Sequence, residues 1–312
     1  MTDLHAKRLI SNSPISDLSP TTWRLLLSPP ADGATNMAVD EAILNAVAEG
    51  QAPPTLRFFG WVPPCFSLGY AQPVADVDLE RLRARGWGLV RRPTGGRAIL
   101  HADELTYSVI APMDEPRVLG GVVESYRQLS AGLLRGVEVM GLSARADRNS
   151  KSKIPKPKSQ SPNSKALLPT STRSVQSPIS NPICFEVPSD YEITANGKKL
   201  LGSAQVRKRG VVLQHGTLPL TGDVARICEV LLVELETERA RLRERVHQRA
   251  TTIEEVLGRP VSWEEAAEAM RRGFAEALNL IFESAPLTPL ETELTTKLRE
   301  EKYATEAWNF RV

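Results

Sequence analysis

The sequence predicts an α+β fold, with mixed or antiparallel sheets and flanking helices, on three observations. Short strand-length runs punctuated by Pro and Gly crowd residues 55–112, a second group of strands with an Asn-Gly turn occupies 189–220, and amphipathic helical patterns fill most of the remainder. Strands and helices are segregated rather than alternating, which favours this class over a doubly wound sheet.

In order along the chain, residues 1–20 read as a polar, flexible leader with no apolar stretch of signal-peptide length. ATNMAVDEAILNAVAEG reads as a helix with Val39, Ala42, Ile43, Ala46 and Val47 on one stripe, interrupted by Asp40 and Glu41 and stopped at Gly50. TLRFFGW, FSLGY, GWGLVRR, GRAILH and ELTYSVIAP are strand candidates. VVESYRQLSAGLLRGVEVMGL is an amphipathic helix through Val122, Tyr126, Leu129, Leu133 and Val137. Residues 149–180 are rich in Ser, Pro and Lys and poor in large apolar side chains, so they cannot offset their ordering entropy; they read as a disordered insertion interrupting one domain over 21–312.

SDYEITA, KKLLGSAQV and GVVLQHGTLPL then form a meander with turns at Asn196-Gly197 and Lys208–Gly210. Helices are expected over most of the rest, with capping patterns at Ser262–Glu265 and Thr288–Glu291 and a solvated charged helix near 234–249.

Composition narrows the function classes. With 41% hydrophobic and 24% charged residues and a formal net charge of +2, neither nucleic acid nor a membrane is indicated as partner. No run of 18 apolar residues occurs, and a cytoplasmic location is expected. The three cysteines are widely spaced and form no zinc pattern, so no metal is expected. Cys65 and Cys228 read as small buried hydrophobes. Cys184, beside Pro182, Pro188 and Ser189, is either another of these or a thiol that a loop presents to substrate.

Along KKLLGSAQV, a period of two separates Leu200, Gly202, Ala204 and Val206 from Lys199, Leu201, Ser203 and Gln205. If the small apolar face packs on the core, Lys199 faces a cleft with Ser203 and Gln205, and Lys198 lies on the core side. The bland alternative is a solvated strand face. RRPTGGRAILH places Gly95 and Gly96, which permit positive φ and close backbone approach, among Arg92, Arg97 and His101. A plain hairpin turn, with arginines guarding a sheet edge, is the competing reading.

The succession RRPTGGRAILH, ELTYS, CFEVPSDYEITANGKKLLGSAQ and HGTLPL resembles the lipoate-protein ligase and octanoyltransferase family, from TNMAVDEAI to the closing WNF. Cysteine ahead of lysine, in the pattern CFxxPSxYEI, resembles the LipM type of octanoyltransferase. The resemblance implies a fold like the catalytic module of biotin and lipoate ligases. It also implies octanoyl transfer from octanoyl-acyl carrier protein to a lysine of lipoyl-domain proteins such as the glycine cleavage H protein, with no cofactor.

It maps the family's lysine onto Lys199 and makes Cys184 an acyl-enzyme nucleophile. Arg92, Gly95, Gly96, Arg97, His101, Ser203 and Ala204 become the substrate-binding set. An ATP-dependent lipoate ligase, or a non-catalytic acyl- or carrier-binding module, are the alternatives.

An ordinary cysteine pKa is about 8.5, so a nearby ammonium would raise the thiolate fraction at neutral pH. At about 0.8 kcal/mol per buried methylene, an octanoyl tail contributes at most roughly 5 kcal/mol, enough to make chain length selectable. Gly95 and Gly96 could wall that slot, and Arg92 and Arg97 could meet the acidic surface or phosphopantetheine phosphate of the carrier. His101 is either a proton acceptor for the target lysine or a structural histidine.

Overall fold

The computed structural model describes residues 18–147 and 192–312. Most of the expected leader, the insertion at 149–180 and the loop carrying Cys184 lie outside the described residues. In chain order the elements are β1 (Thr21–Leu27), α1 (Gly33–Ala48), β2 (Thr55–Phe59), β3 (Cys65–Leu68), α2 (Leu79–Ala84), β4 (Gly88–Arg91), β5 (Ile99–His101) and β6 (Glu104–Pro112). There follow α3 (Val122–Val139), β7 (Arg145–Asp147), β8 (Glu192–Ala195), β9 (Lys198–Lys208), β10 (Val211–Pro219), α4 (Glu236–Arg249) and α5 (Ile253–Leu257). The chain closes with α6 (Trp263–Leu278), β11 (Leu280–Ser284), α7 (Pro289–Leu298) and α8 (Glu306–Asn309).

Eight strands form one sheet in the order β11-β1-β2-β6-β10-β9-β8-β7, and β4-β3-β5 form a second. β1 runs parallel to both β11 and β2, while β2, β6, β10, β9 and β8 pair antiparallel in turn. The expected α+β class, with mixed sheets and flanking helices, is what the molecule adopts. Both meander turns have left-handed backbone at their two central residues, Asn196-Gly197 (φ 51° and 77°) and Arg209-Gly210 (φ 54° and 76°), matching the twist of the strands they join. Thr288 and Glu291 complete a reciprocal capping box at α7, and Ser262 caps α6 by accepting from the Glu265 amide.

One face of the large sheet is covered by α3 and α6, which cross at glycines: a Cβ on Gly273 would stand 2.2 Å from the Gly136 amide nitrogen and 2.5 Å from the Gly132 carbonyl oxygen. The main apolar core, with Leu105, Tyr107, Val109, Leu129, Leu133 and Phe274, fills this layer. Val122, expected on the apolar stripe of α3, is instead exposed in the helix's first turn.

α1 covers the other face and is buried almost all round, including Asn36, Asp40 and Glu41. The polar residues that broke its apolar stripe are each satisfied: Asp40 by Arg57, and Glu41 by Lys208, Lys302 and Tyr303.

Facing along β9 is the reverse of the expectation. Ser203 and Gln205 lie opposite Gly216 and Gln214, and their side chains bond the Tyr107 hydroxyl (2.8 Å) and Ser125 of α3 (3.1 Å), beneath the helix layer. Gly202, Ala204 and Val206 lie opposite Thr217, His215 and Leu213 on the side of α1, where the molecule is hollow. The polar residues can enter the helix-covered layer because they hydrogen-bond one another there. The small residues are the ones that leave space.

Candidate active site

The turn between β4 and β5 is built around backbone contacts. Gly96 has φ +89°, and its carbonyl presses so closely on Gly69 that a Cβ there would stand 1.9 Å from the oxygen. Arg92 holds the turn from within. Its guanidinium donates to the carbonyls of Gly95 (2.8 Å), Arg97 (2.7 Å) and Ser67 (3.1 Å). Arg92 therefore shapes the loop from a buried position, whereas Gly95 and Gly96 are exposed and Arg97 is half-buried.

Two cavities meet at Gly96. The narrow one, about 40 Å³, lies under the turn between β5, β6, β9 and β10; Met37, Trp61, Ile99 and Ala204 give it apolar walls, and His101, Ser203 and His215 also touch it. The wide one, about 800 Å³, is walled by Leu44, Pro93, Val206 and Leu213, with Tyr70 and Trp308 beside them. Its charged rim carries Arg97, Arg207, Lys208 and Lys302 against Glu41 and Asp76.

His101 stacks on Trp61 with ring centroids 4.0 Å apart and planes at 9°. Its Nδ1 lies 2.7 Å from the Glu104 carboxylate and its Nε2 2.8 Å from the Ser67 hydroxyl, so both ring nitrogens are engaged. His215 ends a second chain. Arg57 donates to Asp40 Oδ1 (2.7 Å), Asp40 Oδ2 lies 3.3 Å from His215 Nδ1, and His215 Nε2 lies 2.6 Å from the Thr94 hydroxyl in the glycine turn.

Burial opposes the charged form of Asp40, but the Arg57 guanidinium and His215 outweigh it and hold its carboxyl below the usual range. For His215 burial dominates, and its pKa is lowered despite Asp40. With Asp40 charged and the imidazole neutral, Nδ1–H faces the carboxylate and Nε2 accepts from Thr94.

Lys199 is buried, with Nζ 2.7 Å from the Glu192 carboxylate at the start of β8, and it lines neither cavity. Glu192 opens β8 and follows Cys184 by eight residues along the chain. Cys65 and Cys228 are buried; burial, reinforced by the charges of Asp32 and Glu104, pushes the Cys65 thiol far up. Cys65 is therefore no available thiolate at neutral pH. Among the described residues no cluster of three His, Cys, Asp or Glu could hold a metal ion, and no helix is long and apolar enough to cross a membrane.

The structure thus brings Gly95, Gly96, Arg97, His101, Ser203 and Ala204 to the cavities and also touches the narrow one with Arg92; Cys184 lies outside the described residues. Sequence reasoning missed Met37, Asp40, Trp61, Thr94 and His215. A signal existed for two of them: Asp40 breaks the apolar stripe of α1, and His215 stands beside Gln214 in the middle of a strand that is apolar at both ends.

A model of the lipoyl protein ligase A/B catalytic domain matches residues 32–275. The octanoyltransferase LipM of Kyrpidia tusciae is 42% identical over 294 residues, and that of Brevibacillus brevis 42% over 290, each match covering 93% of this chain and 99% of the relative. Among solved structures, the bi-partite lipoate protein ligase of Thermoplasma acidophilum, studied with its E2 lipoyl domain, superposes with a TM-score of 0.73 at 25% identity, covering 93% of this chain and 96% of that one. The chain belongs to the lipoyl protein ligase A/B catalytic-domain family, on its LipM octanoyltransferase branch.

Proposed function

We propose that this chain moves an octanoyl group from the thioester of octanoyl-acyl carrier protein to a lysine of a lipoyl domain, the glycine cleavage H protein being the first acceptor to test, through a thioester on Cys184. The observation that carries this reading is the pair of cavities that both reach Gly96, a narrow one with apolar walls and a wide cleft. It is supported by the octanoyltransferase relatives and by the lipoyl domain that accompanies the Thermoplasma ligase.

In the first half-reaction the Cys184 thiolate attacks the donor carbonyl; the C–S bond to the carrier breaks, and the carrier thiol leaves with a proton. In the second, the neutral amine of the acceptor lysine attacks the Cys184 thioester, an amide forms, and Cys184 departs as thiol. Exchange of one thioester for another is close to isoenergetic and amide formation is downhill, so no nucleotide is consumed.

Lys199 supplies positive charge near the cysteine loop, and amides of the Gly95-Gly96 turn serve the oxyanion, where loss of one donor typically costs about a hundred- to a thousandfold in rate. His101 and His215 border the narrow cavity. His215, neutral and backed by Asp40, is the better acceptor for the amine's proton, and His101 braces Trp61.

The test is incubation with octanoyl-acyl carrier protein and apo H protein without ATP, followed by intact mass. Octanoylated H protein, and an octanoyl adduct on the enzyme that vanishes in Cys184→Ser, are expected. Modification only when lipoate, ATP and magnesium are supplied would instead establish a ligase, and tight donor binding with no adduct a binding module.

A further inference from the structure

The wide cleft has far more room than an eight-carbon chain uses, and its charges are unevenly committed. Lys208 and Lys302 both pair with Glu41, at 3.0 and 2.5 Å, and Lys302 also lies 4.1 Å from the centre of the Trp308 ring. The Arg207 guanidinium is turned away onto the carbonyls of Gly120 (2.6 Å) and Gly121 (2.9 Å) ahead of α3. Arg97 is the exception. It follows Gly96 directly, lines the cleft, and its guanidinium makes no hydrogen bond or ion pair among the described residues. Asp76 lines the same cleft and feels the Arg97 charge through space, without a hydrogen bond or ion pair between them among the described residues.

Arg92, on the other side of the same turn, is consumed by loop carbonyls, so the loop needs one arginine for its shape and carries a second that its own fold does not use. A half-buried guanidinium is costly to leave unpaired where water is partly excluded, and its fork of donors suits a phosphate.

On the function proposed above, the donor carries its acyl group on a pantetheine arm joined to the carrier by a phosphodiester. We infer that the wide cleft receives this arm, with Arg97 binding its phosphate while the acyl end enters the narrow cavity at Gly96. The turn then divides the donor: Gly96 stands at the junction, and the charge lies beyond it in the direction of solvent. The apolar walls of Pro93, Val206 and Leu213 flank the uncharged part of the arm. Arg97 is a binding residue in this scheme and takes no part in bond making.

The experiment compares three donors for transfer to apo H protein: S-octanoyl-4′-phosphopantetheine, S-octanoyl-pantetheine, and octanoyl-acyl carrier protein. With wild-type enzyme, kcat/KM for the phosphorylated small donor is expected to exceed that for the unphosphorylated one by about ten- to a hundredfold, the range of a charge-assisted hydrogen bond. In Arg97→Gln the ratio should collapse to within about twofold, whatever loss both donors share, and Arg97→Lys should restore part of it.

For the carrier-protein donor, Arg97→Gln should raise KM with little change in kcat; a free phosphopantetheine thioester as the true donor would show instead as a wild-type preference for it over the carrier protein. A wild-type enzyme indifferent to the phosphate, or a preference that survives in Arg97→Gln, overturns the inference while leaving octanoyl transfer intact. No transfer from any donor overturns the function itself, and this inference with it.

Discussion

The two faces of the eight-stranded sheet are covered by opposite means. Under α3 and α6 the layer is apolar, with hydroxyl and amide groups such as Tyr107, Ser203 and Gln214 satisfied among themselves; burial pushes the Tyr107 pKa up to about 12, so it stays a neutral donor. Under α1 the layer holds ion pairs with almost no solvent contact, Arg57–Asp40 and Arg24–Glu291 among them. Removing charges from water costs several kcal/mol per ion, so such a layer is a poor route to stability. It is the layer that contains the cavities. The helix-covered face stabilises the molecule by packing, and the α1 face spends stability on holding the glycine turn and its histidines in place.

This contrast can be broken from either side. Gly273→Val should have the largest effect: its Cβ would collide with the backbone of α3, where no flexible side-chain end can yield, and a loss of about 4 kcal/mol or failure to fold is expected in urea denaturation. A mild loss would mean the helices can slide apart.

On the opposite face, Asp40→Asn leaves the Arg57 charge buried without its carboxylate and should cost about 3 kcal/mol, accompanied by a fall in transfer rate because His215 loses its orienting partner. Loss of stability with unchanged kcat would deny the α1 face its positioning role.

Acid should expose the same asymmetry. His215 has a folded pKa below its ordinary 6.5, so the unfolded chain binds the extra proton first. Its contribution to stability is complete above pH 6.5 and is lost as pH falls through 6.5 towards the folded value. Asp40 has the same sign at lower pH, below 3.8. Denaturation midpoints for wild type should therefore drop on going from pH 7.5 to 5.5, and His215→Gln should flatten part of that slope; identical slopes would remove His215 from the account.

The smallest change compares neighbours on one strand. Ser203→Ala, beneath the helices, should cost about 1 kcal/mol, since Gln214 still donates to the Tyr107 hydroxyl. Ala204→Val, facing the narrow cavity, should barely alter stability yet shorten the preferred acyl chain in a donor series from hexanoyl to decanoyl. An unshifted chain-length profile would place the acyl group elsewhere.

Much of this architecture was legible along the chain. The helix over 33–48, the five strands between 55 and 112, both meander turns and the capping of α6 and α7 announce themselves through periods and punctuation that act within a few residues. β1 and β11 did not. They pair parallel to each other, so no hairpin turn marks them, and β11 follows α6 immediately, with Asn279 at φ +51° making the corner. The reversed facing of β9 has a related cause: alternation separates two faces but carries no information about which one meets helices and which meets a cavity.

What residue order alone settled was therefore what has a short-range cause: helix caps, primed turns and the glycine pair at 95–96. Folding in three dimensions decided that Asp40, Arg57, His215 and Thr94 form one chain of contacts, that Arg92 is spent inside the turn while Arg97 is left over, and that two cavities share Gly96. Those outcomes depend on partners from distant parts of the chain competing for the same buried donors and space, and no local period encodes who wins.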